Sequence, residues 1–189
     1  MRYDRAQLLE RLLTGYSGSY DIDRAETGAI PALQARAHFH VEEAQYVISR
    51  RATMWETESD EHVWFFSLPR LTAEDCERCI RFAHEEGMSK IDLSGERHHM
   101  VTRLVAVFLT DEAEPEALAH VQKCRLYKSF QFSLRGWMEF HAVAADLGKE
   151  SVVSNPCGRE TAKFLKTLMC PETGRKGKKR LGLLRRMLQ

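Results

Sequence analysis

Long apolar runs are absent from this sequence. No segment of its 189 residues approaches the roughly 18 consecutive apolar side chains of a membrane-spanning helix, so we predict no transmembrane segment. The first residues, MRYDRAQLLERLLTGY, also lack the apolar stretch and the small-residue cleavage site of a signal peptide. The cysteines number five, an odd count that disfavours a disulfide framework. Together these features predict a cytoplasmic protein with free thiols.

Catalytic sequence motifs are equally scarce. The chain contains no G-x-S-x-G nucleophile elbow, no Walker A loop, no G-x-G-x-x-G and no H-E-x-x-H. These absences argue against the serine hydrolases, nucleotide-binding enzymes and zinc peptidases that carry such motifs. We predict no cofactor, and whether the protein is an enzyme stays open.

The sequence does contain the elements of an α+β domain. LTAEDCERCIRFAHEEGM has a helical apolar stripe, with Thr72 as N-cap and Gly87 at the C-terminal end. MVTRLVAVFLTD is apolar on both faces apart from Arg103, which is typical of a strand at the centre of a sheet. We therefore predict one compact α+β domain over residues 1–170, with a mixed, mostly antiparallel sheet flanked by helices.

Several shorter segments complete the predicted fold. A turn at Ser59-Asp60 would join two strands, ATMWETE and HVWFFSL. SFQFSLRGW alternates apolar and polar residues, which predicts a further strand. Leu147-Gly148-Lys149 predicts the turn of a C-terminal hairpin, and a last helix, GRETAKFLKTLM, follows it.

Cys76 and Cys79 form a C-x-x-C. A structural zinc site needs a second such pair or a histidine pair, and the chain has no second C-x-x-C. A redox site remains an alternative, because both thiols lie near the start of the predicted helix. Both cysteines also fall on the apolar stripe of that helix, so we favour the interpretation that they are small core residues.

The segment HFHVEEAQYVIS holds a candidate metal site. Its sequence fits either a strand or a helix. If it is a strand, His38 and His40 lie on one side of it and Glu42 continues that side. Two imidazoles and a carboxylate are suitable ligands for zinc or iron, so His38, His40 and Glu42 are candidate metal ligands. The alternative is that two of the chain's eight histidines lie close together by chance.

The last sixteen residues, GRKGKKRLGLLRRMLQ, are basic and lack acidic side chains. Removing their seven basic residues from the chain's 28 leaves 21 against 27 acidic ones, so the rest of the chain has a net charge of −6. We predict an amphipathic basic tail at 171–189, which either contacts a partner or docks on the domain as a final helix behind a solvated basic linker. The predicted contact residues are Arg175, Lys176, Lys178, Lys179, Arg180, Arg185 and Arg186.

Four segments carry a resemblance to a family of uncharacterised proteins. They are AHFHVEEAQYV, WETESDEHVWFFSL, VFLTD and YKSFQFSLRGWMEFHAVAADL. In these segments the chain resembles a family of uncharacterised bacterial proteins over about residues 18–168, without the basic tail. The resemblance implies a bacterial, cytoplasmic protein and brings no known activity or catalytic residue.

Three functional hypotheses follow from the sequence. The first is a non-enzymatic binding module whose basic tail contacts nucleic acid or an acidic protein surface. The second is a metal-dependent hydrolase, with phosphodiesters as one class of substrate, that combines His38 or His40 with strand carboxylates. The third is a homodimer in which the tail packs on a second copy of the chain. The strand carboxylates named in the second hypothesis, the metal-dependent hydrolase, are Glu42, Glu43, Glu56 and Glu58.

Overall fold

The protein is described by a computed structural model, which covers residues 3–25, 30, 32–44, 56–91 and 99–169. The predicted basic tail and its boundary at residue 170 lie outside these residues.

The described residues form four α-helices and seven β-strands. In chain order they are α1 (Arg5–Tyr16), β1 (Asp21–Arg24), β2 (Leu33–Ala44), β3 (Glu56–Leu71), α2 (Ala73–Ser89), β4 (His99–Ala113), α3 (Pro115–Lys123), β5 (Tyr127–Ser129), β6 (Trp137–Asp146), β7 (Ser151–Ser154) and α4 (Arg159–Met169).

All seven strands belong to one open sheet. Its order is β1-β2-β3-β4-β6-β5, and β7 pairs with the second half of β6. The neighbours β3, β4 and β6 run parallel, and the other pairings are antiparallel. The predicted α+β class with a mixed, mostly antiparallel sheet is therefore confirmed. The strand predicted at the centre is β4, which lies between β3 and β6.

Helices cover both faces of the sheet and create two apolar cores. On one face, α1 and α4 pack their leucines against Val63, Phe65 and the alternate residues of β4 and β6. On the other face, α2 and α3 pack against Trp64, Phe66 and the intervening strand residues. Because side chains alternate along a strand, neighbouring residues of β3 enter opposite cores.

Gly87 has a different role from the predicted one. The helix does not end there, since α2 continues to Ser89. A Cβ atom at Gly87 would lie 2.6 Å from Leu104 Cδ1 and 2.9 Å from Trp64 Cη2. The glycine therefore lets the helix backbone approach the sheet closely.

The predicted turn at Ser59-Asp60 is wrong. Both residues lie inside β3, which runs without interruption from Glu56 to Leu71. Since β3 pairs antiparallel with β2, the connection between the two strands is made by residues 45–55, outside the described residues. The polar residues that suggested a turn therefore belong to a continuous strand and not to a chain reversal.

The predicted strand SFQFSLRGW is also wrong. The chain turns between β5 and β6, and Gln131, Phe132 and Ser133 adopt positive φ angles of 47°, 56° and 67°. Phe132 is 98% exposed. The alternating pattern failed because successive left-handed residues break the two-residue period of a strand.

Two further predictions are confirmed and one element was missed. The turn after β6 includes Leu147 and Gly148, and β7 follows as predicted. The C-x-x-C cysteines are fully buried in the core under α2, as the favoured interpretation required. Strand β1 is the missed element, because the segment around it is rich in the Gly, Ser and Asp residues that are typical of loops.

Candidate functional site

The pairing of β2 with β3 assembles four polar side chains on the α2 face of the sheet. His38 lies directly opposite His62, and His40 lies directly opposite Asp60. The segment at 33–44 is therefore a strand, and the predicted common face of His38 and His40 is confirmed by their shared contact with Asp60. We call His38, His40, Asp60 and His62 the histidine cluster.

Both strand histidines direct a ring nitrogen at one carboxylate oxygen. His40 Nδ1 is 2.5 Å from Asp60 Oδ1, and His38 Nε2 is 3.5 Å from the same atom. The ring of His62 stacks on that of His38, with centroids 4.3 Å apart and planes 6° apart. The side chains of His38 and His40 are 45% and 42% exposed, so solvent reaches the cluster directly.

His62 is the buried member of the cluster. Burial, with a smaller contribution from the neighbouring His38 and Lys90, lowers the pKa of its imidazole to about 4. At neutral pH this ring is therefore uncharged.

Other predicted ligands and carboxylates lie partly beyond what the structure describes. Glu42 and Glu58 are paired residues of β2 and β3, as are Ala44 and Glu56, but the side chains of these glutamates lie outside the described part of the chain. The same holds for the side chain of Glu43. Within the described residues, no three His, Cys, Asp or Glu side chains surround a common point in a ready-made metal site. Asp60 and His62 are the residues that the strand pairing brings beside His38 and His40.

A cavity of about 230 Å³ adjoins the histidine cluster between β1, β2, β3 and the end of α2. His38 and His62 line it on one side, and Trp64 and Lys90 line it on another. The polar lining also includes Asp21, Asp23 and Arg36. Because the cavity shares two histidines with the cluster, a molecule bound in it would lie beside the imidazole rings.

Two cations share a single carboxylate at the edge of this cavity. Arg36 Nε and Nη2 donate to the two oxygens of Glu86 at 2.8 and 3.0 Å. The ammonium of Lys90 lies 3.1 Å from Glu86 Oε1 and 5.6 Å from the centroid of the Trp64 ring. These three groups carry one net positive charge, but Asp21 and Asp23 line the same cavity, and Asp23 pairs directly with Arg36 across the strands, so the charged residues around the cavity have no positive excess.

A second polar group crosses the opposite face of the sheet. Glu61, Arg103 and Glu139 lie side by side on the three parallel strands β3, β4 and β6. Glu139 Oε1 lies 3.3 Å from Arg103 Nε and 3.0 Å from His141 Nε2. The hydroxyl of Tyr20 donates to Glu61 Oε1 at 3.0 Å. We call these five residues the charged row.

The charged row perturbs its own carboxyl groups in opposite directions. Burial raises the pKa of Glu61, although the hydrogen bond from Tyr20 acts against this. The hydrogen bond with His141 lowers the pKa of Glu139. Sequence reasoning missed this group because its members come from distant segments. Arg103 in an otherwise apolar strand was the one available signal.

The seven basic residues predicted as partner contacts, from Arg175 to Arg186, lie outside the described residues. Among the described helices, none combines the length and apolarity needed to cross a membrane.

A family model matches nearly the whole described fold. It is a domain of unknown function, DUF8052, and it covers residues 4–167. This chain belongs to the DUF8052 family. Its membership confirms the resemblance to an uncharacterised family, while a bacterial source and a cytoplasmic location stay predictions. A search of curated proteins and a search of solved structures both find no match.

Proposed function

We propose that this DUF8052 protein is a metal-dependent hydrolase of phosphate esters and that the histidine cluster holds the metal ion. The observation that carries the proposal is the convergence of His38 and His40 on one oxygen of Asp60. Imidazole nitrogen and carboxylate oxygen are the donor types that zinc and related transition metals prefer.

The two donor distances to Asp60 Oδ1 can be compared with those around a tetrahedral ion. Donor atoms about 2.0–2.1 Å from zinc lie roughly 3.3 Å from one another in a tetrahedron. His38 Nε2 and Asp60 Oδ1 are already 3.5 Å apart. His40 Nδ1 and Asp60 Oδ1, at 2.5 Å, share a hydrogen bond that the ion would replace. These two atoms would separate by about 0.8 Å, which rotation of the exposed side chain of His40 can supply.

Hydrolysis is supported by the exposure of the cluster and by the cavity beside it. A catalytic metal keeps a coordination position for water, and His38 and His40 lie at the surface where water is available. Arg36 and Lys90 line the cavity and are the cations that would contact the phosphate of a phosphate-ester substrate.

Metal uptake is the direct test. We expect isothermal titration calorimetry of the whole chain with Zn²⁺ to show one site per chain. His40→Ala and Asp60→Asn should each weaken binding by about tenfold or more. His120→Ala, at an exposed position on α3, is the matched control. Equal affinity in all four proteins would show that the cluster does not bind the ion.

Hydrolysis is tested on the same proteins with p-nitrophenyl phosphate and bis(p-nitrophenyl) phosphate. We expect turnover that requires added metal and that is lost in His40→Ala but kept in His120→Ala. Turnover that EDTA leaves unchanged would contradict the proposed mechanism.

The binding-module hypothesis rests on the charge of the sequence. A tail with seven basic residues follows a chain of net charge −6, so an electrostatic contact with RNA, DNA, an acidic protein or a second copy stays a proposal. Fluorescence anisotropy with labelled single-stranded RNA and duplex DNA tests it, using the whole chain and a truncation after Gly174. Binding that truncation abolishes and salt weakens supports a nucleic-acid contact, and absence of binding at low salt refutes it.

A further inference from the structure

The hairpin of β5, β6 and the turn between them carries exposed apolar side chains. Within the part of the chain that the structure describes, three large hydrophobic side chains are exposed, and all of them belong to this hairpin. Tyr127 on β5 is 61% exposed, and Phe132 and Leu134 in the turn are 98% and 76% exposed. A single exposed apolar residue is normal on a protein surface, whereas their concentration in one hairpin indicates an interaction site. We call these three residues the hairpin patch.

The turn holds the hairpin patch in a fixed and strained conformation. The N–H of Phe130 donates to the carbonyl of Gly136 at 3.0 Å, and the ring of Phe130 is buried in the core. Between these two residues, Gln131, Phe132 and Ser133 take positive φ angles, which cost free energy in residues other than glycine. Strain of this kind clusters at functional sites, so it supports a function for the turn.

The chain around the hairpin patch is basic. No acidic residue occurs between positions 117 and 138. The same segment contains four basic residues, Lys123, Arg125, Lys128 and Arg135. The acidic residue that faces the patch across the strands is Glu139, which pairs with Tyr127. Its carboxylate already contacts Arg103 and His141 in the charged row. The hairpin therefore offers apolar and positively charged side chains together.

An anionic bilayer surface fits this combination best. Its acyl chains accept apolar side chains, and its head groups attract basic ones. A second copy of the hairpin, or the basic tail of this chain, would bring like charges together. A single nucleic-acid strand needs a basic groove lined with aromatic rings. Phe132 instead projects from a turn, and the neighbouring Leu134 has no aromatic face on which a base could stack.

We propose that the β5–β6 hairpin inserts into the surface of an anionic lipid bilayer. Phe132 and Leu134 enter the acyl chains, while Lys123 and Lys128 contact the anionic head groups. The inference is independent of the proposed hydrolase, because it uses no residue of the histidine cluster and requires no metal ion.

Co-sedimentation of the whole chain with vesicles tests this contact. We expect binding to vesicles that mix phosphatidylcholine with phosphatidylserine and much weaker binding to phosphatidylcholine alone. A double variant, Phe132→Asn with Leu134→Ser, should weaken binding by about tenfold or more, because two apolar side chains are lost. Asparagine tolerates a positive φ, so the turn keeps its conformation. Gln131→Asn, at the neighbouring left-handed position, is the matched control and should bind as the unaltered chain does.

Phe132→Trp separates insertion of the hairpin from adsorption through the basic tail. The chain has three native tryptophans, so the emission of the unaltered chain is subtracted. The remaining emission should move to shorter wavelength with the anionic vesicles and should be quenched by brominated acyl chains. No quenching beyond that of the unaltered chain would overturn the inference, even if the protein sediments with the vesicles.

Three further outcomes would also overturn the inference. Equal vesicle binding by the unaltered chain and the double variant would place the contact elsewhere. Lys128→Gln should weaken binding by about fivefold, so an unchanged affinity would contradict the role of the head groups. Binding of a labelled single-stranded RNA that the double variant loses, without binding to vesicles, would assign the hairpin to nucleic acid.

Discussion

Asn155 is the only asparagine of the chain, and we expect its replacement to be among the most damaging single changes. Its buried amide uses its full hydrogen-bonding capacity. Oδ1 accepts from the backbone N–H groups of Ala142 and Gly158 at 3.1 and 2.8 Å. Nδ2 donates to the carbonyls of Phe140 and Cys124 at 2.7 and 3.2 Å. One side chain thus joins β6, the end of α3 and the start of α4.

The magnitude follows from the four bonds. Asn155→Ala removes all of them and leaves buried backbone groups without partners. At roughly 0.5–1.5 kcal/mol per bond, the free energy of unfolding should fall by about 2–6 kcal/mol. A domain of this size is stable by roughly 5–15 kcal/mol, so the variant should be measurably weakened and in the worst case unfolded.

Urea denaturation measures this loss, provided that the m value stays constant. Gln122→Ala is the matched control, because it removes a similar amide from an exposed position on α3. The control should change stability by less than about 0.5 kcal/mol. A loss below about 1 kcal/mol in Asn155→Ala, with an unchanged m value, would refute the importance of the four bonds.

Two further predictions concern thiols and pH. Burial raises the pKa of Cys76 and Cys79 to about 12. Brief alkylation of the native protein, mapped by mass spectrometry, should therefore modify the exposed Cys157 and spare both buried thiols. Labelling of all three cysteines at equal rates would contradict the burial of Cys76 and Cys79 in the core. The hydrogen bond with His141 lowers the pKa of Glu139, so this carboxylate stabilises the fold above its ordinary pKa and loses that contribution as pH falls through the lowered value. Glu139→Gln should therefore lower the free energy of unfolding by about 1 kcal/mol at pH 7 and leave it unchanged in acid. Thermal unfolding across a range of pH measures this difference. A loss of stability that does not depend on pH would contradict the interaction of Glu139 with His141.

Local signals were sufficient for the main elements of the fold. Thr72 accepts a hydrogen bond from the N–H of Asp75, as its N-cap position predicted. The apolar character of both faces identified β4, because a central strand is covered on each side. Patterning failed at residues 131–133, where positive φ angles depend on tertiary contacts and not on the alternation of residue types.

The sequence predicted only part of the candidate site. Spacing alone placed His38 and His40 on a common face, given a strand. The register between β2 and β3 adds Asp60 and His62, and that register cannot be read from either strand alone. The charged row is harder still to predict from the sequence. Its prediction requires the order of three strands in the sheet, and the residues on these strands lie about 40 residues apart in the chain.

X-ray absorption at the zinc edge tests the central claim most directly, because it measures the atoms around the ion in the whole, zinc-loaded chain. We expect nitrogen and oxygen neighbours at about 2.0–2.1 Å with the scattering of imidazole rings, and we expect this shell to be lost in His40→Ala. A shell of sulfur at about 2.3 Å would place the ion on cysteines. That result, or an unchanged spectrum in His40→Ala, would contradict a metal site at the histidine cluster.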